Sequence, residues 1–230
     1  MKAIIFDFDG LIVDTETIWF EAYKEVLDKG YGINLTLQQF SKVIGTDDTE
    51  LFAYIQENLS TPINPEAIEN SVKQIVLEKM KELAAREGVE EYLKEAKELG
   101  LKIGLASSST REWVEGFLQR LDILKYFDVI KTRDDVSKVK PDPELYIQAV
   151  KALDIKPSEA VAFEDSLNGL KAAREAGVHC VVVPNQVTSH LEFYGHSHRL
   201  SSMAEIKLKQ LLQKIKGDAF ERLSNQTCDQ

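Results

Sequence analysis

Four short segments of the chain carry side chains that could do chemistry together. Near the N-terminus, Phe6-Asp7-Phe8-Asp9-Gly10 sets two carboxylates two residues apart. On extended chain that spacing sends both to one face, with Phe6 and Phe8 on the other. Ionised carboxylates are costly to bury unless they are paired or bind a metal, so Asp7 and Asp9 imply an open site with a cation beside them. Ser107-Ser108-Ser109 supplies hydroxyls and backbone N–H groups, Lys140 supplies an amine, and Glu164-Asp165 supplies a second acidic pair.

Each segment needs an element to position it. Ala3-Ile4-Ile5-Phe6, Lys102-Ile103-Gly104-Leu105-Ala106 and Ala160-Val161-Ala162-Phe163 are short apolar runs that read as buried strands. The chemical residues follow them directly, except Lys140, which stands in Val139-Lys140-Pro141-Asp142-Pro143 before a helix. Asp142 and Pro143 suit the N-cap and first position of that helix. Phe127-Asp128-Val129-Ile130 and residues 179–183 are two further strand candidates.

Helical stripes fill the intervals. Trp19, Tyr23, Val26 and Leu27 share one face, with Gly30 as the expected stop. Leu51, Phe52, Ile55 and Leu59 form a second stripe, and Ile68, Val72, Ile75, Val76, Met80 and Leu83 a third. Residues 16–85 carry no strand signal. From Gly88 onward helix and strand alternate, which predicts a parallel sheet covered by helices. The fold expected is α/β: a Rossmann-like parallel sheet core, residues 1–15 and 86–216, with an inserted all-helical cap, residues 16–85. Residues 217–230 are polar and aperiodic and read as a C-terminal tail.

In open α/β sheets ligands bind beyond the carboxyl ends of the strands, where these four segments fall. In order and spacing they resemble motifs I to IV of the haloacid dehalogenase superfamily. The insert resembles that superfamily's first type of cap, and the chain looks most like the phosphatase and β-phosphoglucomutase branch. The resemblance implies phosphate-ester hydrolysis through an aspartyl-phosphate. Such a reaction can require acceleration of up to ~10²¹-fold, and one general acid or base contributes ~10²–10⁴-fold. Covalent catalysis and charge stabilisation must therefore carry most of the barrier.

By the same resemblance Asp7 is the nucleophile and Asp9 the acid, then base. Ser107 and the Ser108 N–H hold the phosphoryl oxygens beside a helix N-terminus, and Lys140 offsets the gathered charge. Mg²⁺, which prefers oxygen ligands and keeps several waters, is the expected cofactor. Asp7, the Asp9 backbone carbonyl and Asp165 would hold it, with Glu164 acting through water. Asn168 would brace the site.

Several residues have plainer readings. Ser109 with Glu112 fits a capping box, so it is read as structural. Asp14 caps the first helix or touches substrate, and Trp19 packs in the insert or lines the cleft. His190, His196 and His198 lack the companions of a zinc site, and Cys180 reads as a buried small hydrophobe.

Composition narrows the partners. A chain of 230 residues with 43% apolar content can bury a substantial core. Formal net charge is −10, which argues against a nucleic-acid or anionic membrane partner. Two cysteines make no disulfide framework, and neither a leader nor a long apolar run is visible. A cytoplasmic protein is expected, a monomer or weak homo-oligomer, acting on a small phosphorylated metabolite.

Three other functions are set against the same motifs. A β-phosphoglucomutase-like phosphotransferase would favour a cap arginine to hold a second phosphate. Residues 16–85 contain none, and the candidate loop, Gly45-Thr46-Asp47-Asp48-Thr49-Glu50, is acidic. A non-catalytic sugar-phosphate binder could dispense with Asp7 and Asp9. Dehalogenation needs neither Asp9 nor the Glu164-Asp165 pair.

Overall fold

The computed structural model describes residues 1–40, 49–59 and 62–226, with backbone alone for 49–50 and 218–226. Among these residues six strands form one sheet: β1 Ala3–Phe6, β2 Lys102–Ala106, β3 Val129–Lys131, β4 Ala160–Glu164, β5 His179–Val182 and β6 His198–Arg199. Their spatial order is β3-β2-β1-β4-β5-β6, and every pairing is parallel. Continuous apolar runs are what a sheet covered on both faces requires. In β1 the alternation divides the core: Ile4 and Phe6 face one apolar cluster, Ala3 and Ile5 the other.

The chain runs outward from β1 through β2 to β3, then returns to lay β4 on the opposite side of β1. The order therefore reverses between β1 and β4, and a crevice opens there beyond the strand ends. β1 delivers Asp7 to it and β4 delivers Asp165, with Glu164 buried as the last residue of β4.

Among the described residues, four helices lie between β1 and the next core helix: α1 Thr15–Tyr31, α2 Leu37–Phe40, α3 Thr49–Glu57 and α4 Pro65–Met80. Asp14 caps α1 by accepting from the Thr17 N–H at 3.2 Å, and Asn64 caps α4 by accepting from Ala67 at 3.2 Å. α1 buries Ile18, Phe20, Tyr23 and Leu27, and α4 buries Ile68, Val72, Val76 and Met80. The Phe20 and Tyr23 rings meet Phe40 at 5.5 and 6.1 Å.

The remaining helices cover the sheet: α5 Val89–Glu98, α6 Arg111–Arg120, α7 Glu144–Ala152, α8 Leu167–Glu175 and α9 Leu208–Gln226. Among the described residues no helix is long and apolar enough to cross a membrane.

Some boundaries differ from expectation. α1 ends at Gly32, not Gly30; Gly32 holds φ 67° and its N–H donates to the Asp28 carbonyl at 3.1 Å. α7 begins at Glu144, one residue late, with Asp142 accepting from the Glu144 N–H at 3.0 Å. α9 runs on to Gln226, into the segment expected to be a tail. The short α2 and β6 carry no sequence signal of their own.

Candidate active site

The Asp7 N–H donates to the Phe163 carbonyl at 3.0 Å, which extends the β1–β4 ladder by one bond and fixes where its carboxylate starts. The Lys140 ammonium donates to Asp7 Oδ1 at 2.6 Å, to Glu164 Oε1 at 2.7 Å and to the Ala106 carbonyl at 2.7 Å. All three of its protons are thereby used. Tyr146 O–H donates to the same Glu164 oxygen. These contacts join the ends of β1, β2 and β4 through one buried amine.

Burial alone would lower the Lys140 pKa, but the Asp7 and Glu164 charges outweigh it and hold the amine firmly protonated. The Glu164 pKa is raised as well, which for a carboxyl favours the neutral form. Burial first, then the Asp7 charge, push its carboxyl up to about 7 against the opposing pull of Lys140. The two shifts agree physically, because Lys140 faces two anions while Glu164 faces one cation and one anion. Burial, Asp7 and Glu164 likewise raise Asp165 well above the usual range.

This negative charge is undercompensated. Asp7, Glu164 and Asp165 each offer an oxygen within 4.8 Å of the others, and one buried oxygen of Glu164 has no partner among the described residues. An all-oxygen set with excess negative charge suits a hard divalent cation such as Mg²⁺. No other His, Cys, Asp and Glu group of that kind occurs among the described residues. His196 contacts the Phe193 carbonyl at 3.1 Å.

Asp9 lies outside that trio. Its Oδ1 accepts from Thr15 Oγ1 at 3.1 Å and from Trp113 Nε1 at 3.0 Å, and its Oδ2 accepts from Ser109 Oγ at 2.6 Å. Burial raises its pKa, and the bonds from Ser109 and Trp113 oppose that rise. Gly10 makes the turn between Asp9 and Ile12 with φ +78°, and a side chain there would overlap the Asp165 carboxylate. Asn185 closes the arrangement by donating to Asp165 Oδ2 at 2.8 Å and to the Gly10 carbonyl at 3.3 Å.

A cavity of about 460 Å³ opens at this point, lined by Asp7, Asp9, Ser107, Ser108, Lys140 and Asp165. Asn168 reaches the same cavity, as do Glu16 and Trp19 from α1. Glu164 does not line it, being fully buried behind Lys140. Ser107 is buried, with its Oγ accepting from the Ser109 N–H at 3.0 Å at the approach to α6.

The expected capping role of Ser109 falls to Thr110, which accepts from the Trp113 N–H at 3.4 Å. Ser109 turns instead to Asp9. Sequence reasoning also passed over Trp113, Tyr146 and Asn185. Asn185 follows the carboxyl end of β5, so the strand-end rule that found three of the four segments could have found it. The loop 45–48, weighed for a cap arginine, lies outside the described residues, as do the side chains of Thr49 and Glu50.

Comparison with known proteins matches the chain to a family. The profile of the haloacid dehalogenase-like hydrolases matches residues 4–183, from β1 past the end of β5. YhcW of Bacillus subtilis, named as a phosphatase, is 48% identical over 216 residues, covering 94% of this chain and 98% of that protein. The phosphorylated carbohydrates phosphatase of Thermotoga maritima is 36% identical over 182 residues, covering 77% of this chain and 82% of that protein. The crystal structure of CbbY from Rhodobacter sphaeroides, in complex with xylulose-(1,5)bisphosphate, superposes with a TM-score of 0.70 at 31% identity, covering 89% of this chain and 96% of that one. With the profile and these relatives spanning nearly the whole sheet, the chain belongs to the haloacid dehalogenase-like hydrolases.

Proposed function

We propose that this phosphoric monoester hydrolase is a Mg²⁺-dependent phosphatase of a small phosphorylated carbohydrate. The observation that carries the reading is the buried Lys140 bridge, which draws Asp7 and Glu164 together across 133 and 24 residues of chain. The substrate class is supported by the relatives named for phosphorylated carbohydrates and for hexitol phosphates.

Asp7 attacks phosphorus, and an aspartyl-phosphate forms as the ester P–O bond breaks. Asp9 delivers a proton to the departing oxygen, then takes one from the water that hydrolyses the intermediate. Ser107 and the Ser108 N–H hold the phosphoryl oxygens. Lys140 aims Asp7 through its hydrogen bond to Oδ1. Asp7, Asp165 and the Asp9 carbonyl, with Glu164 behind them, would hold Mg²⁺, which would neutralise phosphoryl charge. Residues 16–85 act as a cap that closes over the cavity through the crossings near 14–17 and 83–88, excluding water and selecting substrate through Glu16 and Trp19.

Phosphate release should be measured over hexose, hexitol, pentose and glycerol phosphates with and without EDTA. Turnover is expected to need the divalent ion and to fall by about 10³-fold or more in Asp7→Asn, as for other lost nucleophiles. Undiminished turnover in that variant would reject the assignment.

A further inference from the structure

We infer that Trp113 is a positioning residue for the acid–base carboxyl: its indole N–H fixes Asp9 Oδ1 as the accepting oxygen and leaves Oδ2 to carry the proton. The inference rests on the proposed role of Asp9.

Three side chains donate to Asp9, but they are not equivalent. The hydroxyls of Thr15 and Ser109 can each donate or accept, and their protons rotate to suit. The indole N–H of Trp113 only donates. At 3.0 Å from Oδ1 it works in one direction only, with Thr15 Oγ1 beside it at 3.1 Å. A carbonyl oxygen accepts better than an acid O–H oxygen, so two donors on Oδ1 keep it the carbonyl of the neutral acid. The proton then belongs on Oδ2. There Ser109 Oγ at 2.6 Å can reverse its role and accept from it.

The indole is also fixed to the segment it orients. Trp113 is the third residue of α6, whose start is set by the Thr110 cap. Its ring lies 4.7 Å from Phe117, and Phe117 lies 5.9 Å from Phe8, which is fully buried between Asp7 and Asp9 in sequence. A packing path and a hydrogen bond thus join the same two segments, so neither can shift without the other. Trp113 also lines the cavity, which puts the Asp9 carboxyl and its support on one wall.

The step balances without any further reagent. A bond forms from an Asp7 oxygen to phosphorus as the ester P–O bond breaks, and the Oδ2 proton moves to the leaving alkoxide, leaving Asp9 as carboxylate. In the second half a water oxygen bonds to phosphorus, its proton returns to Oδ2, and the Asp7–phosphorus bond breaks.

The leaving group provides the test. An alkyl phosphate such as a hexitol phosphate needs the proton; 2,4-dinitrophenyl phosphate does not. Trp113→Phe keeps a ring against Phe117 and removes the donor. Its kcat is expected to fall at least about tenfold further on the alkyl ester than on the dinitrophenyl ester, a part of the ~10²–10⁴-fold that a general acid contributes. On the dinitrophenyl ester, adding Trp113→Phe to Asp9→Asn is expected to change kcat less than about twofold, since the two act as a unit.

Equal losses on both esters, or a full further loss in the double variant, would overturn the inference. Replacing Trp113 with 3-benzothienylalanine, which keeps the bicyclic shape without the N–H, decides the matter if the Phe variant does not fold. Failure of the phosphatase reading itself would appear separately, as turnover surviving Asp7→Asn.

Discussion

Gly169 occupies the first turn of α8, and a Cβ there would overlap both oxygens of the Glu164 carboxylate. That carboxylate cannot retreat, because it is fully buried and held by Lys140 and Tyr146. Alanine normally favours a helix over glycine by about 1 kcal/mol. Gly169→Ala should reverse that sign and cost about 1–3 kcal/mol, as overpacked sites do. Gly30 in the last turn of α1 has nothing within 4 Å of the same position, so Gly30→Ala should gain about 0.5–1 kcal/mol. Urea midpoints at constant m-value read both, and changes of the same sign would contradict the geometry. The contrast also marks what single residues disclose. Asp7, Ser107 and Asp165 were legible because each directly follows a strand, and position alone sends it to the crevice. Gly169 and Trp113 were not, because their meaning lies in contacts that only the folded chain makes, with the Glu164 carboxylate and with Asp9.

At the scale of elements, β3 is joined to β2 by a reciprocal pair: the Asp128 N–H donates to the Ile103 carbonyl at 2.8 Å, and the Ile103 N–H donates to Asp128 Oδ2 at 2.7 Å. Lys97 from α5 adds contacts to the same carboxylate at 2.9 and 3.0 Å. Partial burial would raise this carboxyl, but Lys97 and the Ile103 N–H outweigh it and hold the pKa below 3.8. A carboxylate whose pKa is lower when folded stabilises the fold above its unfolded pKa. That contribution is lost as pH falls from there through the folded value. Asp128→Asn should therefore cost about 1 kcal/mol at pH 7, given an exposed pair with a backbone bond, and the deficit should shrink below about pH 4. Denaturation across pH 2.5–7 checks it; a deficit constant with pH would assign the loss to shape, not charge. Strand and helix existence was readable from periodicity, but ends were not. Gly30 and Gly32 both fit a stop, and only Gly32 meets the free carbonyls of α1. Ser109 and Thr110 both fit a cap, and Asp9 claims the first.

Across the whole molecule the sequence order of strands and helices predicted a parallel sheet with a helical insert, because each β–α unit announces itself locally. What ties the insert's return to the crevice was not announced. Arg86, half-buried where the chain re-enters the core, donates through Nη1 to the Gly10 and Val183 carbonyls, the latter at 3.0 Å, and through Nη2 to the Pro184 carbonyl at 2.8 Å. Its own N–H donates to the Ile12 carbonyl at 2.8 Å. One residue thus binds the turn after β1 to the end of β5, at the point where the insert rejoins the sheet. The Gly10 turn holds Asp9, and Asn185 beyond β5 holds Asp165, so a loosened clamp should be felt in chemistry as well as in stability. Arg86→Ala leaves carbonyls without their donor, and each such loss costs about 1–3 kcal/mol where water cannot replace it. A total of about 2–4 kcal/mol is expected, with kcat/KM down at least about tenfold because reacting groups tolerate little displacement. Arg86→Lys should recover only part of either, since a single ammonium lacks the fork that reaches both segments. Chemical denaturation and steady-state rates on one substrate, measured for both variants, give the two readings. An alanine variant as stable and as active as the parent would show that the β1 turn and the β5 end hold their places without this clamp.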